Sequence, residues 1–293
     1  MRRIEILEEG FNRIALLIEG YPLELVNAVR RAILAEVPVM AIEWVYVTRN
    51  DSALFNEMLS HKLGLLVLKS NKAVEKYLPP EECRADIECG EDPACVDVFI
   101  TKKPECFVRM VLKKSNPPED GVSLLPVKAS DIESEDPDVY PVHGDTELTI
   151  LASGQSIDVE MFARLGRGKE HAKFIPAVVT LKYVPVIKYD SRRINDECIE
   201  CLRNYNPSLA EKVSGKSRGE IVWKDSGNTS LLKHCAERVC GTGLKVEYDK
   251  NRLILVVEST GALDPRKIVE LALEELDKKV ENMYKELGGV VHD

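Results

Sequence analysis

The sequence lacks a long hydrophobic run, and it is poor in aromatic residues and glutamine. No run approaches about 18 uninterrupted apolar residues, which is the length that a membrane-spanning helix needs. The first residues, Met1 to Glu5, become charged again too early for a secretion signal, so we expect a soluble, cytoplasmic protein. A wholly disordered chain is excluded, because hydrophobic residues make up 44% and charged residues 30% of the sequence.

The chain also lacks an excess of basic residues. Its net charge is −9 and its calculated pI is about 5.3. Such a chain repels nucleic-acid phosphate on average, so we expect no direct sequence-specific contact with nucleic acid. Its 293 residues suffice for about two domains at roughly 150 residues each.

The strongest secondary-structure patterns lie at the two ends of the chain. Near the start, the alternation of Ile4 and Ile6 with Ile14, Leu16 and Ile18 predicts a hairpin with one buried face. A helix follows over residues 22–37, with Pro22 in its first turn and a stop before Pro38. A second, longer helix is predicted to begin at Asp264 and Pro265 and to end near Gly288 and Gly289.

Between the two helices the pattern predicts mostly strands and turns. Val96–Ile100 and Val108–Leu112 are interpreted as paired strands, and 244–248 with 253–257 as a hairpin that turns at 249–251. We therefore expect an α+β fold with a discontinuous domain built from both chain ends. At about 1.5 Å per residue, the last helix is a rod of roughly 36 Å, long enough to leave an apolar face for a partner helix.

Four segments of the chain together form a recognisable pattern; in order, they are Asn27–Ile42, Asn50–Leu66, Gly166–Ala177 and Val257–Gly261. They resemble the family of RNA polymerase assembly subunits, which contains the archaeal D-type subunit, its eukaryotic equivalents and, more distantly, bacterial alpha. A further segment, residues 190–243, is similar in position to the ferredoxin-like insertion of the archaeal branch. The resemblance implies a non-catalytic scaffold subunit of DNA-directed RNA polymerase, a nucleotidyltransferase complex.

The resemblance also implies a domain organisation and partners. Residues 1–46, 172–188 and 244–293 would form the dimerisation domain, 47–171 a mostly β insert domain, and 189–243 the ferredoxin-like insert. The dimerisation domain would pair with the small subunit L. The resulting platform would anchor the second-largest subunit and the small subunits N and P.

The partner-binding residues are expected on the two terminal helices and on the second matching segment. Arginine side chains can hold a partner carboxylate through two hydrogen bonds, which positions a partner without doing chemistry. For Arg30 and Arg31 the alternative is a solvated helix face. Glu36 is a further candidate for partner contact, and so are Lys169, His171 and Lys173, for which an ordinary structural turn is the alternative. The predicted partner-binding set is Val26, Val29, Arg30, Arg31, Ile33, Glu57, His61, Ile268, Leu276, Val280 and Met283.

The eight cysteines form two groups whose role the sequence leaves open. One group is Cys83, Cys89, Cys95 and Cys106; the other is Cys198, Cys201, Cys235 and Cys240. Cys198 and Cys201 have the C-x-x-C spacing that suits iron–sulfur or zinc sites, but the positions that would complete a ferredoxin motif hold Asn204 and Ser208. Metal ligation and disulfides are both retained as alternatives. An iron–sulfur electron carrier and a stand-alone zinc adaptor are the alternative functions.

Overall fold

The computed structural model describes residues 2–90, 92–215 and 217–290. The strands are β1 (Arg3–Glu9), β2 (Arg13–Glu19), β3 (Pro38–Asn50), β4 (Phe107–Ser115), β5 (Leu124–Lys128), β6 (Ile132–Ser134), β7 (Glu147–Ala152), β8 (Ser156–Arg167), β9 (Ala177–Asp190), β10 (Arg218–Val222) and β11 (Leu244–Ser259). The helices are α1 (Leu23–Ala35), α2 (Asn56–Gly64), α3 (Ala73–Lys76), α4 (Ala85–Cys89), α5 (Pro93–Lys102), α6 (Asp196–Tyr205), α7 (Pro207–Val213), α8 (Ser230–His234) and α9 (Pro265–Val290). This mixture of helix and sheet confirms the α+β class.

One compact unit consists of Met1–Arg30 and Val179–Val257. Its five-stranded sheet has the order β1-β2-β11-β9-β10. The predicted first hairpin is confirmed in its pairing, because β1 and β2 are antiparallel with Ile4 opposite Ile18 and Ile6 opposite Leu16. The predicted buried face is wrong for β1, because Ile4 and Ile6 are exposed. Strand β10 continues the sheet by pairing with Val186–Asp190 of β9.

The predicted hairpin at 244–257 is wrong, because β11 is one continuous strand through the expected turn. The polar residues at 249–251 stay extended, and Asn251 accepts a hydrogen bond at 3.0 Å from the backbone N–H of Gly20. The first half of the strand packs Leu244 into a cluster with Cys198 and Leu232, whereas its second half packs Ile254 against the sheet strands. One strand thus serves two apolar clusters of this unit.

The other compact unit consists of Arg31–Val178 and Glu258–Asp293. It contains a four-stranded sheet of order β3-β8-β4-β6 and the pair β5-β7. The buried side chains of Met40, Met110 and Met161 lie at the centre of its core. This division groups Glu258–Asp293 with the middle of the chain, whereas the sequence interpretation groups it with the chain start. The predicted domain boundaries stay a prediction.

The predicted strand at Val96–Ile100 is wrong, because these residues lie in helix α5. The Asp92 side chain accepts a hydrogen bond at 3.1 Å from the backbone N–H of Ala94, and Pro93 occupies the first helical position. Val96 and Phe99 then share the buried side of the helix at a spacing of three. A short segment with four apolar residues and Asp97 does not distinguish a strand from a helix, so the cap was the informative signal.

Helices α1 and α9 match their predicted starts closely. Helix α1 begins after Pro22 and ends before Pro38, and α9 begins at Pro265 as predicted. The predicted end of the last helix near Gly288 and Gly289 agrees with the structure to within two residues, because α9 is described to Val290. In the described residues, no helix is both long enough and apolar enough to span a membrane.

A close backbone approach requires glycine at position 168. The backbone N–H of Lys169 donates to the carbonyl of Ala35 at 3.1 Å, which draws this loop against the end of α1. A Cβ atom at position 168 would lie 1.9 Å from the carbonyl oxygen of Leu34, so the backbone would have to move.

We therefore expect Gly168→Ala to lower the free energy of unfolding by about 2–3 kcal/mol, the usual cost of overpacking. Denaturant titration of the full chain measures this change. Gly215→Ala is the control, because an added Cβ there meets no atom within 4 Å. Equal denaturant midpoints for the Gly168→Ala and Gly215→Ala variants would contradict the prediction.

Candidate partner-binding surfaces

Helix α9 carries two apolar stripes on different sides. Ile268 and Ala272 are fully buried inside the chain, and Glu275 lies on the same side. The other stripe consists of Leu273, Leu276, Val280, Met283 and Leu287, which we call the α9 seam. Its spacing of three, four, three and four residues is the heptad pattern of a helix that packs against another helix.

The α9 seam is open to solvent. Leu273, Val280, Met283 and Leu287 are between 50% and 64% exposed, and Leu276 is half-buried. Tyr284, beside the seam, is also exposed. An isolated exposed leucine needs no explanation, but a contiguous apolar row along one helix is typical of an interaction surface.

The orientation of α9 depends on a buried arginine at the end of β8. Arg167 donates from Nη1 to Glu275 at 2.8 Å and from Nε to Glu81 at 2.7 Å, and it also donates to the carbonyl oxygen of Glu36. Burial tends to lower the pKa of Arg167, but the carboxylates of Glu81 and Glu275 hold it above its ordinary value. The guanidinium therefore stays charged and fixes the inner side of the helix.

A second ion-pair group ties α9 to the end of α1. The buried carboxylate of Glu36 lies 3.0 Å from Lys169 Nζ and 2.5 Å from Lys279 Nζ. Burial raises the pKa of Glu36, but hydrogen bonds from Lys279 and Lys169 outweigh this and hold it below its ordinary value of 4.5. Lys169 thus matches its structural alternative. Glu36 was predicted to contact a partner, but its carboxylate is engaged within the chain.

The predicted partner-binding residues of the terminal helices divide by burial. Val26, Val29, Ile33 and Ile268 are buried inside the chain, so their assignment to a partner surface is corrected here. Arg31 is exposed, and Arg30 is half-buried with its Nε donating to Asn27 at 2.9 Å.

Glu57 and His61 lie on an exposed face of α2, together with apolar residues that the sequence interpretation missed. Phe55, Met58 and Leu65 are exposed here, whereas Leu59 and Leu63 are buried on the opposite side. We call Phe55, Glu57, Met58, His61 and Leu65 the α2 patch. The spacing of Leu59 and Leu63 could have identified the inner face and left Phe55 and Met58 outside.

Lys173 and His171 serve the loop that contains them. Lys173 donates to the carbonyl of Ile42 at 3.0 Å and pairs with Glu43. The Nδ1 of the exposed His171 accepts a hydrogen bond at 3.1 Å from the backbone N–H of Lys173. Both residues therefore match the structural alternative.

The eight cysteines pair as four disulfides, the other alternative that the sequence left open. The pairs are Cys83–Cys106, Cys89–Cys95, Cys198–Cys240 and Cys201–Cys235. A metal or an iron–sulfur cluster needs thiolates, which paired sulfur atoms do not offer, so neither group fits such a site in this oxidised form. The described part of the chain also holds no arrangement of three or more His, Cys, Asp or Glu suited to a metal ion. Metal binding by the reduced chain stays a prediction.

Comparison with known proteins yields full-length similarities. The family model of the RNA polymerase Rpb3/Rpb11 dimerisation domain matches residues 15–280. The chain is 43% identical to the DNA-directed RNA polymerase subunit Rpo3 of Aeropyrum pernix, over 99% of this chain and 96% of the relative. It is 32% identical to the proteins of the same name from Pyrobaculum calidifontis, over 98% and 97%, and Methanothermobacter thermautotrophicus, over 96% and 97%.

The ion pairs of Glu36 make a testable contribution to stability. A carboxylate with a lowered pKa stabilises the fold above its unfolded-state pKa, and the contribution is lost as the pH falls through the folded-state value. We expect Glu36→Gln to cost about 1–2 kcal/mol at pH 7. This difference should shrink as the pH falls below about 4.5.

Chemical unfolding of wild type and Glu36→Gln at a series of pH values measures the effect. Glu281→Gln, an exposed change on α9, the helix that carries Lys279, is the control and should match wild type at every pH. A constant gap between wild type and Glu36→Gln down to pH 3 would show that the carboxylate charge is not responsible.

The disulfides predict a result for thiol counting. When the chain is purified without reductant and unfolded under alkylating conditions, we expect none of the eight cysteines to be modified, and all eight after reduction. Mass spectrometry counts the added groups. Four modified cysteines together with stoichiometric zinc or iron in the purified chain would instead support a metal site.

Proposed function

The chain belongs to the RNA polymerase Rpb3/Rpb11 dimerisation family, and we propose that it acts as the D-type scaffold of an archaeal DNA-directed RNA polymerase. In that role it supports transcription as an assembly subunit. The proposal is supported by relatives of nearly the same length that carry the name of a polymerase subunit. The chain itself contributes no catalytic residue to nucleotide addition.

The α9 seam is the observation that carries the proposal. A single chain that functioned alone would have little reason to expose four large apolar side chains in a heptad row. Burial of such side chains contributes about 1.5–3 kcal/mol each, which is sufficient to hold two helices together when several are covered. We assign the seam to the heterodimer with the small subunit L.

The α2 patch is assigned to a second partner, the second-largest subunit. Lys62 holds α2 in place by donating to the carbonyl oxygens of Glu147 and Leu148, so the patch is presented on a fixed helix. The patch combines the exposed ring of Phe55 with the charge of Glu57, a mixture that is typical of interfaces between separately folded subunits. The small subunits N and P complete the proposed set of partners.

The alternative functions are not favoured. An iron–sulfur electron carrier needs thiolate ligands, and the four cysteines of residues 198–240 are paired with each other. The full-length relatives are polymerase subunits, which separates the chain from small electron carriers and from stand-alone zinc adaptors.

Replacing Val280 and Met283 with aspartate tests the heterodimer. We expect Val280→Asp with Met283→Asp to weaken binding to the small subunit at least about 100-fold, because two apolar contacts are lost and two charges would be buried. Co-purification and calorimetric titration with the small subunit measure the loss.

The control is Lys285→Asp, an exposed change on the polar side of α9. The free energy of unfolding of both variants should equal that of wild type within about 0.5 kcal/mol, because the changed side chains are exposed in the isolated chain. Unimpaired binding by the double variant would remove the seam from the heterodimer. Ile268 is unsuitable for this test, since a charge there would unfold the chain.

A further inference from the structure

The residues that flank the α9 seam carry charge of mainly one sign. In a heptad pattern, the side chains beside the apolar row contact the flanking side chains of the opposite helix. On one side of the seam these positions hold Glu270, Asp277 and Tyr284; on the other side they hold Ala272, Lys279 and Glu286. Three carboxylates and one ammonium group therefore border the row.

The single flanking cation is already engaged. Lys279 Nζ lies 2.5 Å from the carboxylate of Glu36, so this ammonium group is held by a contact within the chain. Glu270, Asp277 and Glu286 are exposed, and none of them forms an ion pair within residues 2–90, 92–215 and 217–290. The border of the seam is thus acidic and uncompensated.

We propose that the α9 seam selects a partner helix that carries apolar residues in heptad spacing and Lys or Arg at the flanking positions. The inference rests on the proposed function, which assigns the seam to a heterodimer, and it adds the charge of the partner. Opposite charges across the border attract and fix the partner, while like charges exclude other apolar helices.

The same border disfavours a second copy of this chain. In a symmetric pair of α9 helices the carboxylates of Glu270, Asp277 and Glu286 would face like charges or neutral residues, because Lys279 remains bound to Glu36. Like-charge pairs at such positions are destabilising. The exposed apolar row can therefore persist without causing self-association.

Two synthetic helices of about four heptads test the charge selection. Both peptides carry leucine at the apolar positions; one carries lysine and the other glutamate at every flanking position. We expect the full-length chain to bind the lysine peptide at least about tenfold more tightly in fluorescence anisotropy at low salt. The preference should shrink at 1 M salt, where the screening length falls to about 3 Å.

Charge reversal within the chain supplies the matched variants. Glu270→Lys, Asp277→Lys and Glu286→Lys together should reverse the preference, whereas Lys285→Glu on the opposite side of α9 should preserve it. Val280→Asp with Met283→Asp should weaken binding of both peptides. Sedimentation velocity should show the wild-type chain as a monomer at micromolar concentration.

The outcomes separate this inference from the proposed function. Equal binding of the two peptides, or tighter binding of the glutamate peptide, overturns the charge selection. Neither result bears on the proposed heterodimer with the small subunit. Binding of neither peptide, or self-association through the seam, overturns the assignment of a basic partner helix. Loss of co-purification with the small subunit is measured separately and bears on the proposed function alone.

Discussion

The position of the last helix depends on the burial of one guanidinium group. Arg167 lies at the end of β8 and contacts Glu81, the carbonyl of Glu36 and Glu275 of α9. A buried charge is tolerated only where partners compensate its lost hydration, so these contacts must form together. Because Glu275 lies on the inner side of α9, the contact with Arg167 determines which side of the helix faces solvent. The exposure of the α9 seam follows from this arrangement.

Much of the fold could be predicted where local chemistry and periodicity agree. Pro22, Pro38 and Pro265 mark helix limits directly, and the alternation around Gly10 produces the first hairpin. The errors arose where a short signal was ambiguous. The run at 96–100 is compatible with strand or helix, and the polar residues at 249–251 resemble a turn although neighbouring strands keep them extended. The local cap at Asp92 and Pro93 decided the first case, and pairing with neighbouring strands decided the second.

The candidate site was predicted only in part, because an apolar residue on a helix does not indicate which surface it meets. Ile268, Leu276 and Val280 follow one another at spacings of eight and four residues, yet Ile268 faces the core and Val280 faces solvent. The inner side of α9 is determined by contacts among Glu36, Arg167 and Glu275. These residues are far apart in sequence and carry no local pattern. Phe55 and Met58 were not predicted, because an apolar residue beside the charged Glu57 and His61 gives no local sign that it is exposed.

The continuous strand β11 has a consequence for the removal of residues 190–243. This region is not attached through a flexible stalk, since β10 pairs with the far end of β9 and Leu244 supplies an apolar side chain to the cluster beneath it. Removing the region would leave the end of β9 and the beginning of β11 with exposed apolar side chains. A deletion of residues 190–243 would therefore have to shorten β9 and β11 together if no apolar side chain is to be left uncovered.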